Sequence, residues 1–163
     1  MCGIFATMTR HGVSPQRIHQ ALKNLNHRGP DANGIWRSAD KRWTLGHTRL
    51  SIIGLDNGAQ PISSADGFVH AVVNGEFYGY REIRRELQAG GCEFGTDSDS
   101  EVALHLYKER GMQAGAELRG EFAVVIADER TREMIAIRDR FGIKPLYYAA
   151  LNGEIFFASE IKA

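Results

Sequence analysis

Cys2 stands directly behind the initiator methionine, where a single residue could supply both a nucleophile and a base. A small residue at position 2 permits removal of Met1, which would leave Cys2 as the first residue with a free α-amino group. An α-amine has a reference pKa of about 7.7–8.0 and a thiol one of about 8.5, so proton transfer between them is nearly thermoneutral. Position alone leaves open the alternative that Cys2 is merely a small residue before a strand.

A nucleophile that attacks an amide also needs hydrogen-bond donors for the oxyanion that develops on the carbonyl. Asn74 and Gly75 follow a strongly apolar run, and they offer a side-chain amide and an unhindered backbone N–H. An Asn-Gly pair by itself is more often an ordinary turn. The pair therefore indicates oxyanion stabilisation only in combination with Cys2.

Three charged residues could match the two charges of an amino acid. The planar guanidinium of Arg49 suits a carboxylate, while Glu76 and Asp99 could receive an ammonium group. Singly, each is more simply explained as a solvated charge or, for Asp99, as a residue at a helix start. Only the whole set indicates an amino-acid ligand.

Short apolar runs and turn residues predict the elements that must hold these side chains. Strands are predicted over 4–6, 43–45, 50–53, 68–73, 122–127, 134–137, 146–148 and 155–158. Helices are predicted from the Ser14 cap to near Asn26, from Tyr80 to Gly90, and from a capping box at 98–101 to Arg110. The segment 27–34 is rich in turn formers and is predicted to be a loop.

Strands without regular alternation with helices predict an α+β fold and not a doubly wound parallel sheet.

Composition narrows the class of protein. The 163 residues suit one domain, and 43% hydrophobic with 25% charged residues is typical of a soluble globular protein. Twenty basic and 20 acidic residues, scattered along the chain, argue against binding to nucleic acid or to an anionic membrane. Without a membrane-spanning run, a secretory signal, a phosphate loop or a metal-ligand cluster, we expect a cytoplasmic protein with no cofactor.

Motifs along the whole chain resemble the class II glutamine amidotransferase domain, most closely the amino-terminal glutaminase domain of glutamine-hydrolysing asparagine synthetases. In chain order they are MCGIF at 1–5, HRGPD at 27–31, RLSI at 49–52, QP at 60–61, NGE at 74–76, SD at 98–99, RDRFGIKPLY at 138–147 and SEIKA at 159–163. So many short motifs in one order make the resemblance specific.

This resemblance implies a four-layer αββα N-terminal-nucleophile hydrolase fold, in which two antiparallel sheets lie between helical layers. It implies that residues 1–163 form one glutaminase domain, that the synthetase domain is absent, and that a synthetase domain or a partner protein in trans accepts ammonia. It also implies that Cys2 attacks the side-chain amide of glutamine to give a γ-glutamyl thioester, while the α-amine of Cys2 shuttles the proton.

The resemblance also assigns roles to the other candidate residues. Asn74 and Gly75 would form the oxyanion hole. Arg49 would hold the α-carboxylate of glutamine, Glu76 and Asp99 would hold its α-amine, and Ile52 would add backbone contacts nearby. No metal site is implied.

Two other functions remain open. An N-terminal-nucleophile amidase for a different amide would use Cys2 in the same way, with Arg49 and the two carboxylates in structural roles. A non-catalytic module that regulates a synthetase would need none of this chemistry. We expect Cys92 to have only a packing role, and the segment 138–148 to be mainly architectural.

Overall fold

The computed structural model describes residues 1–51 and 57–163. Within these residues the strands are β1 (Gly3–Met8), β2 (Ala32–Arg37), β3 (Trp43–Arg49), β4 (Ile62–Ser63), β5 (Val69–Phe77), β6 (Gly120–Asp128), β7 (Glu133–Arg138), β8 (Tyr147–Leu151) and β9 (Glu154–Ala158). The helices are α1 (Pro15–Leu25), α2 (Tyr80–Ala89), α3 (Ser100–Arg110) and α4 (Ala114–Glu117), with a 3-10 turn at Gly111–Gln113. Among these helices, none has the length and apolar character needed to cross a membrane.

The strands form two antiparallel sheets. Sheet A has the order β2-β3-β1-β9-β8, and sheet B has the order β4-β5-β6-β7. Strand β1 lies at the centre of sheet A, where it pairs with β3 on one side and β9 on the other. The residue after Cys2 is thus already part of a paired strand, because Gly3 lies opposite Thr48.

The two sheets pack face to face between helical layers, as expected. Side chains alternate along each strand, so Ile4 and Ala6 of β1 face sheet B while Phe5 faces α1. On the outer side of sheet B, Phe77 and Leu104 belong to a larger apolar cluster between β5 and α3. The result is the four-layer αββα arrangement, with one apolar core between the sheets and one under each helical layer.

The first helix is as predicted, and the third is capped differently. Ser14 caps α1 by accepting a hydrogen bond from the Arg17 N–H at 3.4 Å. At α3 the N-cap is Asp99, and Glu101 does not close the predicted capping box. The Glu101 carboxylate instead accepts the N–H groups of Gly95 and Thr96 at 2.8 and 2.7 Å. The preceding loop thus takes the acceptor that the capping box would have used.

Several predicted boundaries are wrong because pairing between distant segments decides them. Strand β2 begins at Ala32, inside the predicted loop 27–34, since all six of its residues pair with β3. Leu50 and Ser51 lie beyond the end of β3, and the rest of the predicted strand 50–53 lies outside the described residues. Strand β5 continues through 74–76 to Phe77 because β6 pairs with it throughout, so the Asn-Gly pair is strand and not turn.

Candidate active site

A pocket of about 140 Å³ opens between the edges of the two sheets and the start of α3. Its wall contains six of the seven predicted site residues: Cys2, Arg49, Asn74, Gly75, Glu76 and Asp99. The seventh, Ile52, lies outside the described residues. The remaining wall residues are Met1, Leu50, Gly58, Gln60, Val73, Ser98, Ser100 and Lys144. Ligand pockets for drug-sized molecules are typically about 300–1,000 Å³, so this one suits a smaller molecule.

Cys2 is held by one contact to its backbone and one to its sulfur. The Arg28 Nε donates to the carbonyl oxygen of Cys2 at 2.9 Å, and the Leu50 N–H points at the sulfur at 3.4 Å. Gly3 is needed next to Cys2 because a Cβ there would lie 2.5 Å from the Thr48 hydroxyl. Cys2 is therefore attached to a paired strand end and to the HRGPD loop.

The chain's last motif holds Arg28 in turn. The Glu160 carboxylate accepts hydrogen bonds from Arg28 at 3.0 Å and from His27 at 2.9 Å, and Lys162 lies 3.0 Å away. Burial opposes ionisation of Glu160, but these hydrogen bonds outweigh it and lower the pKa of the carboxyl to about 2. Arg28 of the HRGPD motif thus links Glu160 of the SEIKA motif to the backbone of Cys2.

Asn74 presents an unsatisfied amide to the pocket. Its side chain is 0% exposed, and neither its oxygen nor its nitrogen hydrogen bonds to any of the described residues. Such a buried, unpaired polar group costs about 1–3 kcal/mol of stability. A group with this cost in the wall of a pocket is well placed to donate to a ligand.

Gly75 brings a backbone N–H to the same wall of the pocket. Its partner across the sheet is Phe122, whose own N–H and carbonyl both bond to Asp139, at 3.2 and 2.9 Å. Gly75 and Phe122 are therefore a non-hydrogen-bonded pair, and the Gly75 N–H points away from β6. On that side the N–H groups of Val73 and Phe77 bond to side chains at the pocket.

Only glycine fits at position 75. Its φ is 150°, and a Cβ there would lie 2.1 Å from the carbonyl oxygen of Glu121 in β6. Close approach of the two strands thus excludes any side chain at 75.

The charged residues divide between the two sides of the pocket. Arg49 is the last residue of β3, and its carbonyl accepts from the Asp31 N–H at 3.0 Å. Asp31 also accepts the Ser51 N–H at 2.7 Å, so the HRGPD loop brackets Arg49. Arg49 thus enters the pocket wall from sheet A, whereas Glu76 enters it from sheet B and Asp99 from the start of α3.

Asp99 has a structural partner as well as a place in the pocket. Its Oδ2 accepts the Phe77 N–H at 3.0 Å, which joins the end of β5 to the start of α3. Burial raises the pKa of the Asp99 carboxyl, the N–H groups of Phe77 and Ser100 oppose this, and the charge of Glu76 raises it further. The two carboxylates thus act on each other in the pocket wall.

Lys144 is a pocket residue that the sequence interpretation missed. Glu76 lies directly opposite Glu121 in the sheet, and the Lys144 ammonium pairs with Glu121 at 2.6 Å. Like charges directly opposite each other destabilise a sheet, so Lys144 offsets this repulsion. Its signal was its place in the RDRFGIKPLY motif, and that motif was interpreted as mainly architectural. Gln60 is also in the pocket wall, and the sequence interpretation assigned no role to the QP motif.

Among the described residues, no group of three or more histidine, cysteine, aspartate or glutamate side chains is arranged to hold a metal ion. Cys92 lies away from the pocket, packs against the apolar cluster between β5 and α3, and has its sulfur 3.0 Å from the Nδ1 of His105; its packing role stays a prediction. The described wall of the pocket offers a thiol, a side-chain amide, backbone groups and charged side chains.

Comparison with known proteins agrees with this arrangement. A family model described as a glutamine amidotransferase domain matches residues 1–163. The chain is 41% identical to asparagine synthetase [glutamine-hydrolyzing] 1 of Bacillus subtilis, covering 100% of this chain and 26% of that protein. It is 43% identical to the amidase chry2 of Gibberella zeae, again covering 100% of this chain and 26% of the relative.

A solved structure shares the fold. The glutamine phosphoribosylpyrophosphate amidotransferase of B. subtilis, in complex with ADP and GMP, superimposes with a TM-score of 0.81 at 26% identity, over 98% of this chain and 42% of that one. This chain spans about a quarter of the length of the curated relatives named above. From its sequence, its two-sheet fold and its full-length match, the chain belongs to the family of glutamine amidotransferase domains found in asparagine synthetase-like proteins.

Proposed function

We propose that this domain hydrolyses the side-chain amide of glutamine to glutamate and ammonia through a γ-glutamyl thioester on Cys2. The single observation that carries the proposal is the buried, unpaired amide of Asn74 in the wall of the pocket that also holds Cys2. An unpaired donor next to a nucleophile is the arrangement that stabilises a tetrahedral oxyanion, and one such donor contributes about 100- to 1,000-fold in kcat.

The proposed reaction begins with loss of Met1, which itself lines the pocket. The freed α-amine of Cys2 accepts the thiol proton, and the sulfur attacks the amide carbon of glutamine. The Asn74 amide and the Gly75 N–H bind the oxyanion. When the C–N bond breaks, the α-ammonium returns its proton to the leaving nitrogen, and ammonia departs. Water then attacks the thioester to release glutamate and restore the thiol.

Recognition of the substrate follows from the separated charges. Arg49 would bind the α-carboxylate of glutamine, while Glu76 and Asp99 would bind its α-ammonium. Ile52 remains a predicted contact. This polarity would direct the side-chain amide, rather than the α-carboxylate, towards Cys2 and Asn74.

The ammonia acceptor is proposed to be a synthetase domain or a partner protein. Support comes from the length of the relatives, since this chain matches only 26% of the B. subtilis asparagine synthetase. Further support comes from large apolar side chains that are largely exposed: Tyr148 and Leu151 in β8, Phe141 and Ile143 before it, and Ile161 after β9. If they form one surface, it would suit a protein partner. The cytoplasmic location stays a prediction.

A different amide substrate is the second candidate, favoured by the relative that carries the name amidase. The two candidates differ in what Arg49 and the carboxylates recognise. Turnover of glutamine should be compared with turnover of butyramide, which keeps the amide but lacks the α-amino and α-carboxyl groups. Equal or faster turnover of butyramide would favour the second candidate.

The central test replaces Cys2. Cys2→Ala should abolish glutamate release and the thioester adduct seen by mass spectrometry under acid quench, while circular dichroism stays unchanged. Cys92→Ala, the same change at a cysteine outside the pocket, should retain both signals. Full glutamine hydrolysis by Cys2→Ala would refute the proposal.

A further inference from the structure

The side chain of Gln60 pairs with β5 as a neighbouring strand would. Its Oε1 accepts the Val73 N–H at 2.6 Å, and its Nε2 donates to the Val73 carbonyl at 3.2 Å. Strand β4 pairs Ile62 with Ala71, and two residues further in the same register Gln60 comes opposite Val73. At this point β4 has ended, so a side-chain amide takes over both main-chain hydrogen bonds.

A second donor reaches the same carbonyl from the other sheet. His47 of β3 is 1% exposed, and its Nε2 lies 3.0 Å from the Val73 oxygen. A carbonyl can only accept, so the Nε2 must carry the proton. Burial lowers the pKa of His47 to about 4, and the charge of Arg49 adds to this effect, so the ring is neutral at neutral pH. Both lone pairs of the Val73 carbonyl are thereby occupied.

Gln60 is itself fixed in place. A Cβ at Gly34 of β2 would lie 1.8 Å from the Gln60 carbonyl oxygen, so the Gln60 backbone packs directly on sheet A. Its Nε2 also lies 3.3 Å from the Ser100 hydroxyl at the start of α3, next to Asp99. Gln60 thus connects sheet A through its backbone, and sheet B and α3 through its side chain, at the rim of the pocket.

Val73 immediately precedes Asn74 and Gly75, so the position of its peptide group sets theirs. We propose that Gln60, together with His47, is a positioning residue that holds the Asn74 amide and the Gly75 N–H at the correct distance from Cys2. This inference rests on the proposed oxyanion role of those two groups. A misplacement of about 1 Å in catalytic geometry can cost about 100-fold in rate.

The inference predicts a particular kinetic signature. In Gln60→Met, which keeps the length of the side chain and removes both hydrogen bonds, kcat for glutamine should fall about 10- to 100-fold. The KM should remain within about twofold, because Arg49, Glu76 and Asp99 would still bind the substrate in the ground state. Gln20→Met, at an exposed glutamine of α1, is the matched control and should change neither constant.

His47 supplies an independent pair of variants. His47→Leu should lower kcat as Gln60→Met does, whereas His47→Gln, which can still donate to the Val73 carbonyl, should recover part of the loss. If Gln60→Met or His47→Leu changed only thermal stability, or raised KM at constant kcat, the positioning role would be wrong.

A spectroscopic readout separates this inference from the proposed function. The N–H signals of Gly75 and of the Asn74 side chain should shift in nitrogen-proton correlation spectra of Gln60→Met and stay in place in Gln20→Met. If the wild-type chain released no glutamate, the proposed function would fail. The shifts would still test whether Gln60 positions the Asn74 amide and the Gly75 N–H. If wild type were active and the signals of Gln60→Met did not move, only the positioning role of Gln60 would be refuted.

Discussion

The Arg28 guanidinium lies between the Cys2 carbonyl, at 2.9 Å, and the Glu160 carboxylate, at 3.0 Å. Arg28 is not among the described residues of the pocket wall, and its contact with Cys2 is to the backbone carbonyl. Arg28→Met should therefore lower kcat for glutamine hydrolysis by about 10-fold or more while KM changes little. Arg42→Met, at an exposed arginine, is the control. A kcat equal to that of wild type would show that β1 alone holds Cys2.

Asn74→Ala should lower activity without lowering stability. Loss of the oxyanion donor should reduce kcat about 100- to 1,000-fold. Removal of the buried, unpaired amide relieves a cost of about 1–3 kcal/mol, which offsets the lost packing, so the free energy of unfolding should not decrease. Steady-state kinetics and urea titration of the same sample measure both. A marked loss of stability would indicate that the amide has a structural partner.

Gly75→Ala should disrupt the sheet because its Cβ would meet the Glu121 carbonyl at 2.1 Å. We expect a loss of about 2–4 kcal/mol in the free energy of unfolding, the range of severe local strain. Gly67→Ala is the matched control, since Gly67 also has positive φ but nothing lies within 4 Å of its Cβ position. That change should cost only about 1 kcal/mol. Equal losses in the two variants would contradict the close strand approach at Gly75.

His47 should make the fold sensitive to mild acid. Its pKa is lowered from 6.5 to about 4 by burial, so the unfolded chain binds a proton more readily than the folded one. The stabilising contribution of neutral His47 is complete above about pH 6.5 and is lost as the pH falls towards 4. Urea titrations across this range should show that the free energy of unfolding depends less steeply on pH in His47→Gln than in wild type. His19→Gln, at an exposed histidine, should keep the wild-type slope.

Local patterns predicted most of the elements correctly. Helix α1 begins and ends where Ser14, Pro15 and Asn26 indicated, because capping and helical periodicity depend on residues within a few positions. The strands β1, β6, β7 and β9 were found from their short apolar runs. Pairing of distant strands overrode local propensity elsewhere: it placed β2 in a predicted loop and carried β5 through the Asn-Gly pair.

Residue types and their order determined the choice of candidate chemistry, because a terminal cysteine, an Asn-Gly pair and separated charges are recognisable without coordinates. Their roles remain proposals. Only the tertiary structure decided that these residues share one pocket, since the Leu50 N–H that faces the Cys2 sulfur is 48 positions away in the chain. It also revealed the two hydrogen bonds between the Gln60 side chain and the Val73 backbone, which no local pattern predicts. Hydrogen bonds of that kind depend on where two sheets and a helix meet, and the packing of the apolar core fixes that meeting point.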